Sequence, residues 1–253
     1  MTEDDSPSDG DLDMSAKEQR RVVSVLAEAL REVSPEDAPL TLCRACLRLL
    51  PITGVSLSVR GPGAGQEALL CATDDVAAQL AELQYTLGEG PCLQAGEFRA
   101  PVFASDLRDS GAARRWPMFA ALAVRAGARA VYCVPLGGPA SPLGTLDMYR
   151  GEAGPLSAED IRVALVTADA VTAALVALNG NAQDTEEVVA WLRGAESDRE
   201  EVHQAAGMMM VRWGVGPDEA LARLRARAFA EGRTASEVAR DIVNRTSDIT
   251  GQE

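Results

Sequence analysis

A chain of 253 residues, 47% of them hydrophobic, is long enough to bury a core in one large domain or two small ones. Its formal net charge of -14 is unevenly placed: residues 1–14 hold six acids and no base, and no long segment is basic overall. That excludes a polyanion binder held by counterion release alone and confines any nucleic-acid contact to a local patch. A single histidine leaves no material for a His-rich metal site, and five cysteines scattered from Cys43 to Cys133 do not form the framework of a small secreted domain.

The N-terminal "MTEDDSPSDGDLDM" is acidic where a secretory signal would be basic and then apolar. No apolar run is read as approaching the roughly 20 residues of a membrane span, so a cytoplasmic protein without membrane contact is expected. Residues 1–13 read as a disordered acidic tail, too poor in apolar side chains to repay ordering. From Met14 the spacing of Val22, Val25, Leu26, Ala29, Leu30 and Val33 predicts an amphipathic helix. A second follows in "SPEDAPLTLCRACLRLLP", with Leu40, Cys43, Leu47 and Leu50 on its apolar face and Pro51 ending it.

Short β-branched or alternating runs come next, cut by glycine and proline: "GVSLSVRG", "EALLCATD", "PVFASDL", "ARAVYCVPLG" and "LGTLDMYRG". They predict antiparallel strands around an irregular middle, with helices covering one face of the sheet. A long helix then opens at Ser157, where Asp160 completes a capping box.

The series "YTLGEGPCLQAGEFRAPVFASDL" and "RAVYCVPLGGPASPLGTLDMYRGEAGPLSAED" resembles a GAF sensory domain of the small-molecule-binding kind. The likeness rests on Gly88 to Gly90, Pro101, Asp106, Pro135-Leu136 and Leu143-Gly144, and it runs from about Ala38 to Leu178. It implies an α+β sensor domain, an antiparallel sheet flanked by helices, here placed at residues 14–180. Cys92 then falls beside a turn that borders the ligand pocket in such domains. With Asp106 and the scarce aromatics Tyr85, Trp116, Phe119 and Tyr132 it forms the candidate pocket for an unknown small molecule. The same aromatics also read as ordinary core.

After a linker at 181–198, the last stretch predicts three helices. The first carries Val202, Ala205, Met209 and Trp213 along one side and breaks at Gly214. The second starts at Pro217, with Asp218 and Glu219 at its positive end and Ala220, Leu221, Leu224 and Ala228 as its stripe. The third opens with the capping box Thr234–Glu237 and buries Val238, Ala239, Ile242 and Val243. This order, at residues 199–247 before a short tail at 248–253, resembles the ANTAR domain. That is an RNA-binding antitermination module, seen in actinobacteria behind GAF sensors. Ala205, Met210, Ala220, Leu224, Arg225 and Ala228 match its pattern; Ala206 stands where the family carries a lysine.

The resemblance implies an all-α three-helix bundle that works as a homodimer and holds hairpin loops in mRNA leaders. The RNA-binding candidates are Ala205, Met210, Arg212, Arg223, Arg225, Arg227, Ala228 and Arg233, the arginines standing over a floor of Ala222 and Ala226. Three arginines flanking an apolar stripe are also what any solvated helix face presents.

Cys43 and Cys46 have the Cys-x-x-Cys spacing, yet they sit on a predicted helix with no second Cys/His pair, so packing explains them. Met208 to Met210 read as core filling, two of the three buried. No metal, cofactor or catalytic residue is assigned. A thiol enzyme resembling the methionine sulfoxide reductases of this fold, working through Cys92, and a protein-interaction regulator that binds no RNA both stay open.

Overall fold

The structure is a computed structural model that describes residues 9–60, 67–138, 141–180, 201–202 and 204–244. The linker expected at 181–198 and the tail at 248–253 lie outside the described residues.

Helix α1 (Asp9–Ala29) leads into α2 (Ala38–Leu49), strand β1 (Gly54–Arg60) and strand β2 (Glu67–Ala72). Helices α3 (Asp75–Leu87) and α4 (Pro91–Phe98), strand β3 (Val102–Ala104), and helices α5 (Ser110–Arg115) and α6 (Pro117–Ala126) follow. Strands β4 (Ala130–Gly138) and β5 (Ser141–Arg150) and helix α7 (Ala158–Gly180) complete the first domain. The five strands form one antiparallel sheet in the order β2-β1-β5-β4-β3.

Strand alternation divides the interior in two. Val55 and Leu57 of β1, Tyr132, Val134 and Leu136 of β4, and Leu146 and Met148 of β5 face α1, α2 and α7. Val131, Cys133 and Tyr149 face the other way, onto α3 to α6. Both faces of the sheet are therefore covered, not one, and the middle of the domain is four helices rather than irregular chain. Each fully buried leucine, such as Leu57 or Leu146, contributes roughly 2 kcal/mol of burial free energy.

Local chemistry sets the other boundaries. Ser157 and Asp160 exchange hydrogen bonds as a capping box before α7, with Ser157 Oγ accepting from the Asp160 amide at 3.0 Å. Gly144 lies so close to β1 that a Cβ added there would meet the Ser58 carbonyl oxygen at 1.9 Å. Helix α1 starts at Asp9, so residues 9–13 are helical rather than tail, and it ends at Ala29 before Val33. On α2 the buried side chains are Ala38, Pro39, Leu42, Cys43, Ala45, Cys46 and Leu49, a stripe rotated from the expected one because Leu40 and Leu47 stand at its margin.

The α7 segment Ala158–Leu178 is long and apolar enough, by length and composition, to cross a membrane, which corrects the expectation that no run approaches that size. In this fold its Val163, Ala164, Ala168, Val171 and Leu175 pack into the core shared with α1, α2 and the sheet.

Candidate functional site

The C-terminal bundle consists of α8 (204–213), α9 (Pro217–Glu231) and α10 (Ala235–Val243). Its core is Val202, Ala205, Met209, Ala220, Leu224, Ala228, Ala235, Val238, Ala239 and Ile242. Five of these ten are alanine, which lets the helices approach closely. Gly214 and Gly232, both in the left-handed region, end α8 and α9, and the Thr234–Glu237 capping box starts α10. Ala205 and Ala228 are fully buried here. They are packing residues, and their assignment to RNA contact is corrected accordingly. Met209 is the one buried methionine of its triplet; Met208 and Met210 are half-buried against the same core.

The arginines ring this bundle, and most face an acid. Arg223 lies 5.1 Å over the Trp213 ring and pairs with Glu219 at 2.6 Å. Arg227 pairs with Glu231 at 2.6 Å, while Arg233 reaches both Glu231 (3.2 Å) and Asp241 (2.7 Å). The Arg227 hydrogen bond, helped by Arg233, holds the Glu231 carboxyl below its usual range, and the Asp241 hydrogen bond raises Arg233. Arg212 is exposed, as are Ala222 and Ala226 between the arginines. Surface pairs of this kind contribute about 0–1 kcal/mol, so a phosphate can replace the carboxylate at small cost. The Glu219–Arg223 and Arg227–Glu231 spacings of four were legible in the sequence.

Arg225 is placed differently. Its guanidinium lies 4.9 Å over the ring of Tyr85, on α3 of the first domain. Tyr85 is 5% exposed and packs with the core of the bundle, not in a sensor pocket as expected. Around this contact the Ala235 amide donates to Thr86 Oγ1 (3.1 Å) and Ser236 Oγ donates to Glu82 Oε1 (3.2 Å).

The other pocket candidates divide between surfaces. Cys92, Trp116 and Phe119 share the core beneath α3 to α6, whereas Tyr132 points through the opposite face of the sheet and donates to the Gly154 carbonyl. Asp106 sits at the rim, paired with Arg129 at 3.1 Å; the Arg108 amide, and then Arg129, lower its pKa. Asp106 and Trp116 line an open groove of about 930 Å³ with Ser105, Arg108, Arg114 and Arg115. Under α4, Cys92 Sγ is 3.2 Å from Thr145 Oγ1, which lies 3.3 Å from Asp147 Oδ2. Their cross-strand partners are Ser58 and Ser56, so the second face of the central strands carries a buried polar strip. No group of three or more His, Cys, Asp or Glu side chains among the described residues is placed to hold a metal ion.

Sequence reasoning missed Gln84, Thr86 and Glu89. Gln84 Oε1 accepts from the Cys92 amide (2.7 Å) at the start of α4, and Glu89 Oε1 from the Met118 and Phe119 amides (2.7 Å each) at the start of α6. Both helices begin with proline and have no side-chain N-cap of their own. Pro91 and Pro117 were the available signal.

An antiparallel sheet clothed in helices, followed by a three-helix bundle with an arginine rim, defines an α+β domain joined to a helical module. The chain belongs to the GAF-domain family: the model for "GAF domain" matches residues 32–176, more than half of it, and the model for "ANTAR domain" matches residues 190–243. Together these make it a regulatory protein, with a sensor domain and a module implying RNA-binding antitermination.

No curated protein matches the chain significantly. Among solved structures, the GAF domain of a phosphoenolpyruvate-protein phosphotransferase from Coxiella burnetii is 18% identical, with a TM-score of 0.50, covering 65% of this chain and 98% of that one. The domain of a two-component sensor histidine kinase protein from Sinorhizobium meliloti is 16% identical (TM-score 0.47; 62% and 99% covered). Free methionine-R-sulfoxide reductase from Neisseria meningitidis, in complex with its substrate, is 15% identical (TM-score 0.45; 69% and 95% covered). At 18% identity the first of these likenesses is one of fold alone.

Proposed function

We propose that this protein is a cytoplasmic transcription antitermination regulator whose C-terminal bundle binds hairpin loops in nascent mRNA leaders, under the control of a small molecule taken up by its GAF domain. The observation that carries this reading is the arrangement of Arg212, Arg223, Arg225, Arg227 and Arg233 on one small bundle, around an exposed floor of Ala222 and Ala226. Alanine lets a nucleotide backbone come close. Arginine holds phosphates in a fork and stacks on splayed bases, which single-stranded loops present.

The acidity of the rest of the chain opposes indiscriminate binding, so shape decides which RNA is held. Two protomers would present two such surfaces, and a homodimer holding paired loops is part of the proposal. No catalytic step is assigned. Cys92 is buried against a hydroxyl, and the one histidine, His203, belongs to the output segment rather than the sensor.

The test is binding of the full chain to a pool of synthetic RNA hairpins with randomised loops, across salt concentrations. The Arg212→Ala/Arg223→Ala double variant should flatten the slope of log K against log salt by about 0.7 per lost contact. Equal slopes for parent and variant would show that this surface is not the RNA site. Failure of the parent to bind any hairpin would favour a protein partner instead.

A further inference from the structure

We infer that the sensor domain occupies the RNA surface of its own output module, so that α3 and RNA compete for Arg225. This rests on the RNA reading proposed above and adds how that site is controlled.

Several independent contacts converge on one interface. Arg225 is stacked on Tyr85, and Tyr85 is buried by the bundle rather than by its own domain. The bare Cα of Gly88 faces the same guanidinium: a Cβ added there would lie 3.3 Å from Arg225 Nη1. Thr86 supplies the acceptor for the Ala235 amide, one of the amides at the start of α10 that has no partner within its own helix. Glu82 receives Ser236. Beside them a cleft of about 280 Å³ runs between Leu87, Glu89 and Met118 of the sensor and Ala222, Ala226 and Phe229 of α9. The alanine floor thus borders the sensor on this side.

The occupied face is also wired to the sensor interior. Gln84, one residue before Tyr85, holds the Cys92 amide, and Cys92 touches Thr145 on the buried polar strip. Glu89, one residue after Gly88, holds the start of α6. The stretch Gln84–Glu89 therefore anchors α4, α6 and α10 at once. A ligand that shifts Cys92 or α6 moves the same six residues that seat Arg225. In a packed interior such a shift is passed on rather than absorbed, because packed elements have few arrangements open to them.

Masking lowers apparent RNA affinity by the fraction of molecules that are open. Releasing an arginine stacked on a buried ring should change that fraction by about tenfold.

The test uses the full chain with Tyr85→Ala and, separately, Thr86→Ala, both on the sensor side and neither on the proposed RNA surface. The same randomised-loop hairpin pool is the probe, and deuterium exchange of the Ala235 amide is followed without RNA. The expected result is faster exchange at Ala235 in both variants, about tenfold tighter hairpin binding, and a salt slope steeper by about 0.7, because the freed Arg225 then neutralises one more phosphate. Faster exchange with unchanged hairpin affinity would overturn masking and leave the RNA reading intact. Faster exchange with no hairpin binding by parent or variants would overturn both. An Ala235 amide that exchanges as quickly in the parent as in the variants would overturn the docked interface itself.

Discussion

Glu89 holds the first turn of α6 from outside the helix, its Oε1 accepting from the Phe119 amide at 2.7 Å while also accepting from Met118. Residue Pro117 has no amide to offer and Trp116 gives no side-chain cap, so Glu89 satisfies the two donors that the helix leaves open. Its charge also complements the positive end of the helix.

Replacing Glu89 by alanine should cost roughly 1–3 kcal/mol of stability, the range for a lost charged acceptor at a helix start. Phe119 is fully buried, so the loss should spread to the core beneath α3 to α6. Urea unfolding of the Glu89→Ala variant checks this. An unfolding free energy within about 0.3 kcal/mol of the parent would mean that water replaces the carboxylate without cost. Glu89→Gln, which keeps an acceptor and loses the charge, should fall between the two.

These caps explain why half of the sensor was illegible in the sequence. The five strands were readable because β-branched alternation is a local signal, and so were the Ser157 and Thr234 capping boxes, written within four residues. Helices α4, α5 and α6 are 8, 6 and 10 residues long, rich in alanine and glycine, and too short to carry a clear apolar period. Two of them depend on acceptors eight and about thirty residues distant, which no window contains. The same holds for the site. The arginines could be picked out by type and spacing, and the apolar stripes already held Ala205 and Ala228, but Arg225 meeting Tyr85 is a contact across 140 residues. Tyr132 was misplaced for a simpler reason: on β4 one step of register exchanges the two faces of the sheet.

The Cys-x-x-Cys pair makes a second prediction, about reactivity. Burial pushes the Cys46 thiol up to about 12. Cys43 is raised as well, first by its contact with Cys71 (Sγ to Sγ 3.4 Å) and then by burial. Only the thiolate attacks an alkylating agent, so iodoacetamide at pH 8 should leave Cys43 and Cys46 untouched in the folded protein and modify both in urea. The sign for stability follows from the raised folded values. The neutral thiols favour the fold fully below the unfolded pKa of roughly 8.5, and that contribution is lost as pH rises toward about 12. Mass spectrometry of alkylated peptides checks the first part. Labelling of Cys46 in the native chain as fast as in the unfolded one would refute its burial.

The last prediction concerns the second copy on which the proposed RNA function depends. Helices α1 and α7 lie together, tied by the Arg162–Glu18 pair at 3.3 Å, and bury Val22, Leu26, Val163, Val171 and Leu175 against the sheet side. Their outer face carries three exposed apolar side chains among charged ones such as Arg21 and Asp169: Val23 is 49% exposed, Leu165 37% and Val176 53%. Leu165 and Val176 are eleven residues apart, three turns of helix, so they stand on one line. A second copy placed against this face would bury the same side chains twice over. The full chain should therefore sediment as a dimer at about ten micromolar, and the Leu165→Glu/Val176→Glu double variant as a monomer with an unchanged fold. If dimer and RNA binding belong together, the monomeric variant should bind a single hairpin more weakly than the parent binds a tandem pair. A parent chain that sediments as a monomer would remove this face from the proposal and leave each bundle to hold its RNA alone.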